Sequence, residues 1–140
     1  MSYDLLVFEP DAAPKEPVAF MEWFRGLAEW SEGHNYDDPA NTKPALQAWY
    51  RDMIATFPAM NGPDAVSDEE ISDAVTGYSF AEAAIYADFR WSEAGRAKQT
   101  SFNYAQKHCI GFWDASSSVE VWGPTENGGY EVWFNIKAAQ

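Results

Sequence analysis

Five large apolar side chains, Phe20, Trp23, Phe24, Leu27 and Trp30, recur at intervals of three and four. Only an α-helix gathers such a set on one side, so residues 17–31 read as a helix whose wide stripe must be buried. A second stripe follows in Leu46, Trp49, Tyr50, Met53 and Phe57, with Thr42 as its expected cap, Pro44 in its first turn and Pro58 as its stop. The period then changes. Ile85, Ala87, Phe89 and Trp91 alternate with Tyr86, Asp88 and Arg90, the spacing of a half-buried strand. A chain that carries both periods must fold helices onto a sheet.

The remaining elements fit that scheme. Residues 3–8 read as a short buried strand closed by Glu9-Pro10-Asp11. Residues 75–80 read as a weaker strand, because Ala81-Glu82-Ala83 is a poor hairpin turn. Ser92 is the expected cap of a third helix reaching to about His108, with Ala94, Ala97, Phe102, Ala105 and Cys109 on its thin apolar side. Residues 110–114, 119–122 and 130–136 are strand candidates, separated by a serine run at 116–118 and by glycine-rich turns. Residues 59–73 exceed the usual loop length, which predicts a short helix near 68–73 or a functional surface.

Helices and strands do not alternate strictly, so the expected class is α+β: one domain over residues 1–140, with a single mainly antiparallel sheet and helices packed on one face. A ferredoxin-like relative is one form of that class. Phe20, Phe24, Leu27, Trp49, Met53, Ile85, Phe89, Phe102 and Ile110 are then expected to share one core.

Charge narrows the function classes. The 140 residues carry 22 acidic and 9 basic side chains, a formal −13. That balance argues against a nucleic-acid partner, since phosphate binders gain affinity by replacing counterions with Lys and Arg. No run approaches the eighteen or so apolar residues of a membrane span. The first residues lack the basic start and long apolar core of a secretory signal, and the lone Cys109 cannot make an internal disulfide, so a cytoplasmic location is expected.

Residues 1–75 hold 15 acids and 4 bases; residues 76–140 hold 7 and 5. Two groups dominate: Glu22, Glu29, Glu32, Asp37 and Asp38, then Asp64, Asp68, Glu69, Glu70 and Asp73. They read either as a solvated face or as a docking surface for a basic protein. In the docking reading Glu29, Glu32, Asp37, Asp38, Asp68, Glu69 and Glu70 make charge contacts, and Trp30 and Tyr36 are aromatic anchors.

The chemical motifs are sparse. His108, Asp114 and the serines at 116–118 have the residue types of a triad but no nucleophile elbow, so His108 reads as a helix-end histidine. Cys109 reads as a core cysteine. His34, Asp37 and Asp38 have metal-ligand types without a second histidine at helical spacing, and a surface turn is preferred. Trp23, Trp49, Trp91 and Trp133 fall on patterned positions and read as core. No catalytic residue, metal or cofactor is assigned. The competing function is a small-molecule binder or enzyme with a tryptophan-lined pocket near His34 or His108.

The opening MSYDLLVFEP, the segment SEGHNYDDP, and the later AIYADFRWSEA and KHCIGFWD resemble a family of small bacterial proteins. These begin M-S-Y-D-L and contain a second block like Trp49-x-x-x-Met53-x-x-x-Phe57-Pro58-x-Met60-Asn61-Gly62-Pro63. The resemblance runs to about Ser118 and thins over residues 123–140. Some members look like immunity proteins encoded beside polymorphic or contact-dependent growth-inhibition toxins. It implies a cytoplasmic inhibitor that occludes a cognate basic toxin domain, nucleases among them, with no catalytic residues to carry over.

Overall fold

The structure, a computed structural model, describes residues 2–116 and 118–136. Among them six strands, β1 (Ser2–Phe8), β2 (Gly77–Ala81), β3 (Ala84–Arg90), β4 (Gly111–Trp113), β5 (Glu120–Pro124) and β6 (Tyr130–Asn135), form one sheet in the order β2-β3-β1-β4-β5-β6. Every neighbouring pair is antiparallel. The helices are α1 (Pro17–Leu27), α2 (Pro44–Met53) and α3 (Ala94–Lys107). The mixed α+β class with an antiparallel sheet is as expected.

The helices do not share one face. Leu5 and Val7 of β1 pack with Trp49, Tyr50 and Met53 of α2 and with Ala97 and Ala105 of α3. Leu6 and Phe8 point the other way and pack with Phe20 of α1 and with Trp113 and Val121. The single core expected from periodicity is therefore two cores. Trp49, Met53, Ile85, Phe89, Phe102 and Ile110 lie on one side of the sheet, and Phe20, Phe24 and Leu27 on the other. A helical stripe tells which side of the helix is buried; it carries no information about which face of a sheet receives it. Strand β1 has helices above and below, which is why it reads as an unbroken apolar run.

Close packing at Gly111 ties the two layers to the strand ladder. Gly111 pairs with Phe8, and a Cβ there would fall 2.0 Å from the Phe8 ring. The Phe8 ring in turn meets Phe20 and Trp23 of α1 at 5.4 and 5.8 Å between centroids. On the opposite side α3 offers Ala97, Ser101 and Ala105, all buried, so its backbone comes close to α2. Trp49 crosses that gap and donates its indole N–H to the Ser101 carbonyl at 3.1 Å.

Local details correct several sequence expectations. Thr42 is not the cap of α2; its hydroxyl donates to the Glu82 carbonyl at 3.2 Å, and Lys43 occupies the cap position without a side-chain bond. The strand near residues 75–80 is real, and residues 82 and 83 turn it into β3 without a positive φ at either one. That turn is held from outside. The Glu82 N–H donates to Glu32 Oε1 at 2.8 Å, the Lys43 N–H donates to the Glu82 carbonyl at 3.1 Å, and the Glu9 N–H donates to the Ala83 carbonyl at 2.8 Å. Trp91 is exposed rather than core, in a 3-10 turn that precedes α3.

Cys109 is also not a core residue. It is exposed and has a left-handed backbone with φ 56°. The Ile110 N–H donates to the Ala105 carbonyl at 3.1 Å and the Cys109 N–H to the Gln106 carbonyl at 3.2 Å. Those are the two bonds of a Schellman ending, and Cys109 sits where such endings favour glycine. The backbone needed at the helix end sends the thiol out to solvent while Ile110, the next residue, turns into the core.

Candidate functional site

The predicted docking residues of the first acidic group lie just past α1. The helix stops at Leu27, before the stripe is complete, so Trp30 is off the helix with φ 51°. That backbone is costly for a bulky residue, by about 1–3 kcal/mol, and persists only where the surroundings enforce it. Trp30 is 39% exposed. Its ring meets Tyr36 edge-on at 5.0 Å and Tyr86 at 6.3 Å.

The loop that carries Tyr36 is built from its own polar side chains. Tyr36 accepts the Glu32 N–H on its hydroxyl at 2.6 Å, and its carbonyl accepts the Phe80 N–H of edge strand β2 at 2.8 Å. Asp37 Oδ1 accepts from Asn61 Nδ2 at 2.8 Å, and Asn61 also brackets Tyr78 of β2 through both its backbone groups. Asp38 caps the following 3-10 turn by accepting the Ala40 N–H at 2.9 Å. Gly62 has φ +79°, and a Cβ there would fall 2.1 Å from the Asp37 carbonyl oxygen. This packing covers the outer edge of β2, which would otherwise be open to a foreign strand.

These bonds sort the predicted acids. Glu32, Asp37 and Asp38 hold backbone or side-chain donors within the fold, and Glu70 closes a capping box with Ser67. Glu29, Asp68 and Glu69 make no side-chain bond among the described residues and project as free charge. The structure does not merge the two groups into one constellation. Asn61 and Gly62 touch the Asp37 loop, while Asp68–Glu70 forms a separate 3-10 turn beside the exposed Met60 and Ile71.

His34 stays within the first group. Its Nε2 lies 2.6 Å from Glu32 Oε1, its Nδ1 lies 3.2 Å from the Asn35 carbonyl, and its ring stacks obliquely on Tyr36 at 4.6 Å. The bond to the Glu32 carboxylate holds the imidazole above its ordinary pKa. Both ring nitrogens of His34, Oε1 of Glu32 and Oδ1 of Asp37 are thus engaged in internal contacts. Among the described residues, no three His, Cys, Asp or Glu side chains group as metal ligands.

Sequence reasoning missed one feature at this site, an apolar cavity of about 240 Å³ behind Trp30. Leu6, Phe24, Leu27, Trp30, Ala84 and Tyr86 line it, with Ala28 and Ala81 where α1 ends and the β2–β3 turn begins. The small side chains Ala81 and Ala84 leave the space, a signal that single residues in a strand pattern do not reveal. Tyr86 forms one wall and donates its hydroxyl to Asp4 Oδ2 at 2.6 Å, and its phenol is pushed up by burial and by that carboxylate.

The triad residue types come apart. His108 Nε2 lies 2.6 Å from Asp52 Oδ2 on α2, whereas Asp114 is buried and lies 3.4 Å from Lys98 Nζ, in the earlier half of α3. Ser116 donates its N–H to Asp114 Oδ1 at 3.2 Å, and Ser117 lies outside the described residues. A more polar cleft beside Asp114, about 380 Å³, is lined by Lys98, Gln99, Phe102, Asn103, Glu120 and Trp122. Neither cavity is ringed by tryptophans. Each has one.

Among the described residues, no helix is long and apolar enough to cross a membrane. Comparison with known protein families, with curated proteins and with solved structures finds no match to this chain.

Proposed function

We propose that this protein is an acidic, immunity-type inhibitor that binds a basic partner, a cognate toxin domain, and occludes its working surface in the cytoplasm. The observation that carries the reading is Trp30: a half-exposed tryptophan held in a left-handed backbone, next to the free carboxylate of Glu29. Strain of that kind concentrates where a side chain must be presented at a fixed place, and exposed tryptophans are over-represented among binding hot spots. A domain that acts on nucleic acid needs a basic surface, and an acidic protein competes for that surface by charge. Such an inhibitor needs no catalytic residues of its own.

The strand order β2-β3-β1-β4, with α2 and α3 on one face, supports a ferredoxin-like reading of the inner part of the domain. In that reading α1, β5 and β6 are additions, and α1 with its following loop supplies the interaction surface.

The alternative is a small-molecule-binding protein, favoured by the cleft of lysine, carboxamides and Trp122 beside Asp114. One experiment separates the two. The gene adjoining this one in its source genome is sequenced. If it encodes a basic domain, that domain is co-expressed with this protein in a sensitive host and mixed with it in vitro; a neighbourhood of metabolic genes alone favours the small-molecule binder. Rescue of growth together with a salt-dependent 1:1 complex supports the inhibitor. A host that dies equally with and without this protein, and no complex at low salt, overturns it.

A further inference from the structure

We infer that the cavity behind Trp30 is the receptor for one apolar side chain of the partner, flanked there by lysine or arginine. This rests on the partner-binding reading above and names what the partner must present. Three observations lead to it. The cavity walls are apolar, and its space of about 240 Å³ suits one large side chain rather than a cofactor. Acids adjoin its lining: Glu29 follows Ala28 and Glu82 follows Ala81 in the chain, and Glu32 accepts the Glu82 N–H. Asp4 stands at the far end of the Tyr86 wall, directly across the strand pair from Asp88. The opposing basic groups are Lys43, drawn to Glu82 at 3.2 Å, Arg25 on the last turn of α1, and His34, whose Nε2 lies 2.6 Å from Glu32 Oε1.

The third observation is the strain at Trp30. With φ 51° the ring lies against Tyr36 and Tyr86 instead of continuing the α1 stripe. Had the helix run one more turn, Trp30 would have stayed on the α1 stripe as a helical side chain. Ending it at Leu27 leaves Trp30 as a wall of the cavity, next to acids. An apolar pocket with a charged rim binds a side chain that is apolar at its end and basic on either side. The pocket supplies the holding energy and the rim supplies the steering.

The test uses two short peptides on the full-length, isotope-labelled protein, followed by amide and indole resonances. One has a phenylalanine between two pairs of lysines; the other has alanine in its place. The phenylalanine peptide is expected to bind at least about tenfold more tightly, the gain from burying one aromatic side chain. Its shifts should converge on Trp30, Ala84 and Tyr86. Ala84→Leu, which occupies the cavity, should erase the difference and leave the salt-dependent binding of the alanine peptide. Trp30→Ala, which removes a wall, gives a second route to the same result if Ala84→Leu does not fold. Equal binding of both peptides, without shifts at the cavity, overturns the cavity proposal and leaves the acidic docking surface standing. Binding of neither peptide at low salt overturns both. Binding of free indole at the cavity, with no preference between the peptides, makes the occupant a small apolar ligand and overturns the side-chain proposal.

Discussion

Trp30 and Tyr36 meet edge to face, with centroids 5.0 Å apart and ring planes at 72°. Tyr36 is itself fixed, by the Glu32 N–H on its hydroxyl and by the Phe80 N–H on its carbonyl. A tryptophan leaning on an immobilised ring loses little rotamer freedom when it binds, so less of the contact energy goes into ordering it.

Trp30→Ala is expected to raise the dissociation rate of the partner complex by about 30-fold, the equivalent of about 2 kcal/mol for a hot-spot side chain. The half-exposed ring is outside the helix, so the unfolding midpoint should move much less. A large fall in melting temperature with unchanged dissociation would make Trp30 a structural residue only.

Charge reversal should separate the acids. Glu29→Lys and the pair Asp68→Lys with Glu69→Lys touch side chains without internal bonds, so they should slow association and flatten its salt dependence at unchanged stability. Asp37→Lys should instead destabilise, because it removes the acceptor of Asn61 Nδ2. Stopped-flow association at several salt concentrations, with denaturant melts of the same variants, reads both effects.

Cys109→Gly is expected to stabilise the protein by about 1 kcal/mol, since glycine adopts the left-handed helix ending without the Cβ penalty. The same geometry predicts that the thiol of the native protein reacts fully with an aromatic disulfide reagent. Reaction only after unfolding would contradict the exposed placement.

Gly111→Ala should destabilise by about 2 kcal/mol or more. Its new methyl would overlap the Phe8 ring, which is fully buried and packed against Phe20, Trp23 and Trp133. Urea denaturation measures the loss, and a neutral result would mean that β1 and β4 are not in this register.

His34 supplies a pH signature. Its pKa is raised above 6.5 by Glu32, so its stabilising contribution is complete below pH 6.5 and disappears as the pH rises through the raised value. Imidazole resonances should titrate above 6.5 in the native protein and move back toward 6.5 in Glu32→Gln. If the midpoint does not move, the 2.6 Å contact is not what raises it.

By itself the sequence determined the periods, and with them the kinds of element. The three-and-four spacing of Phe20 to Leu27 needs a helix, and the alternation of Ile85 to Phe89 needs a strand, because burying one side of a chain leaves no other choice. The two acidic groups were equally legible. Tertiary structure decided what lies on the other side of each buried surface. It sent α1 to one face of β1 and α2 with α3 to the other. It stabilised a turn at residues 82 and 83 by donors and acceptors from Glu9, Glu32 and Lys43, each distant in sequence. The cavity arose the same way: the walls come from β1, α1, β2 and β3, and no local pattern records a space that forms only where those elements meet.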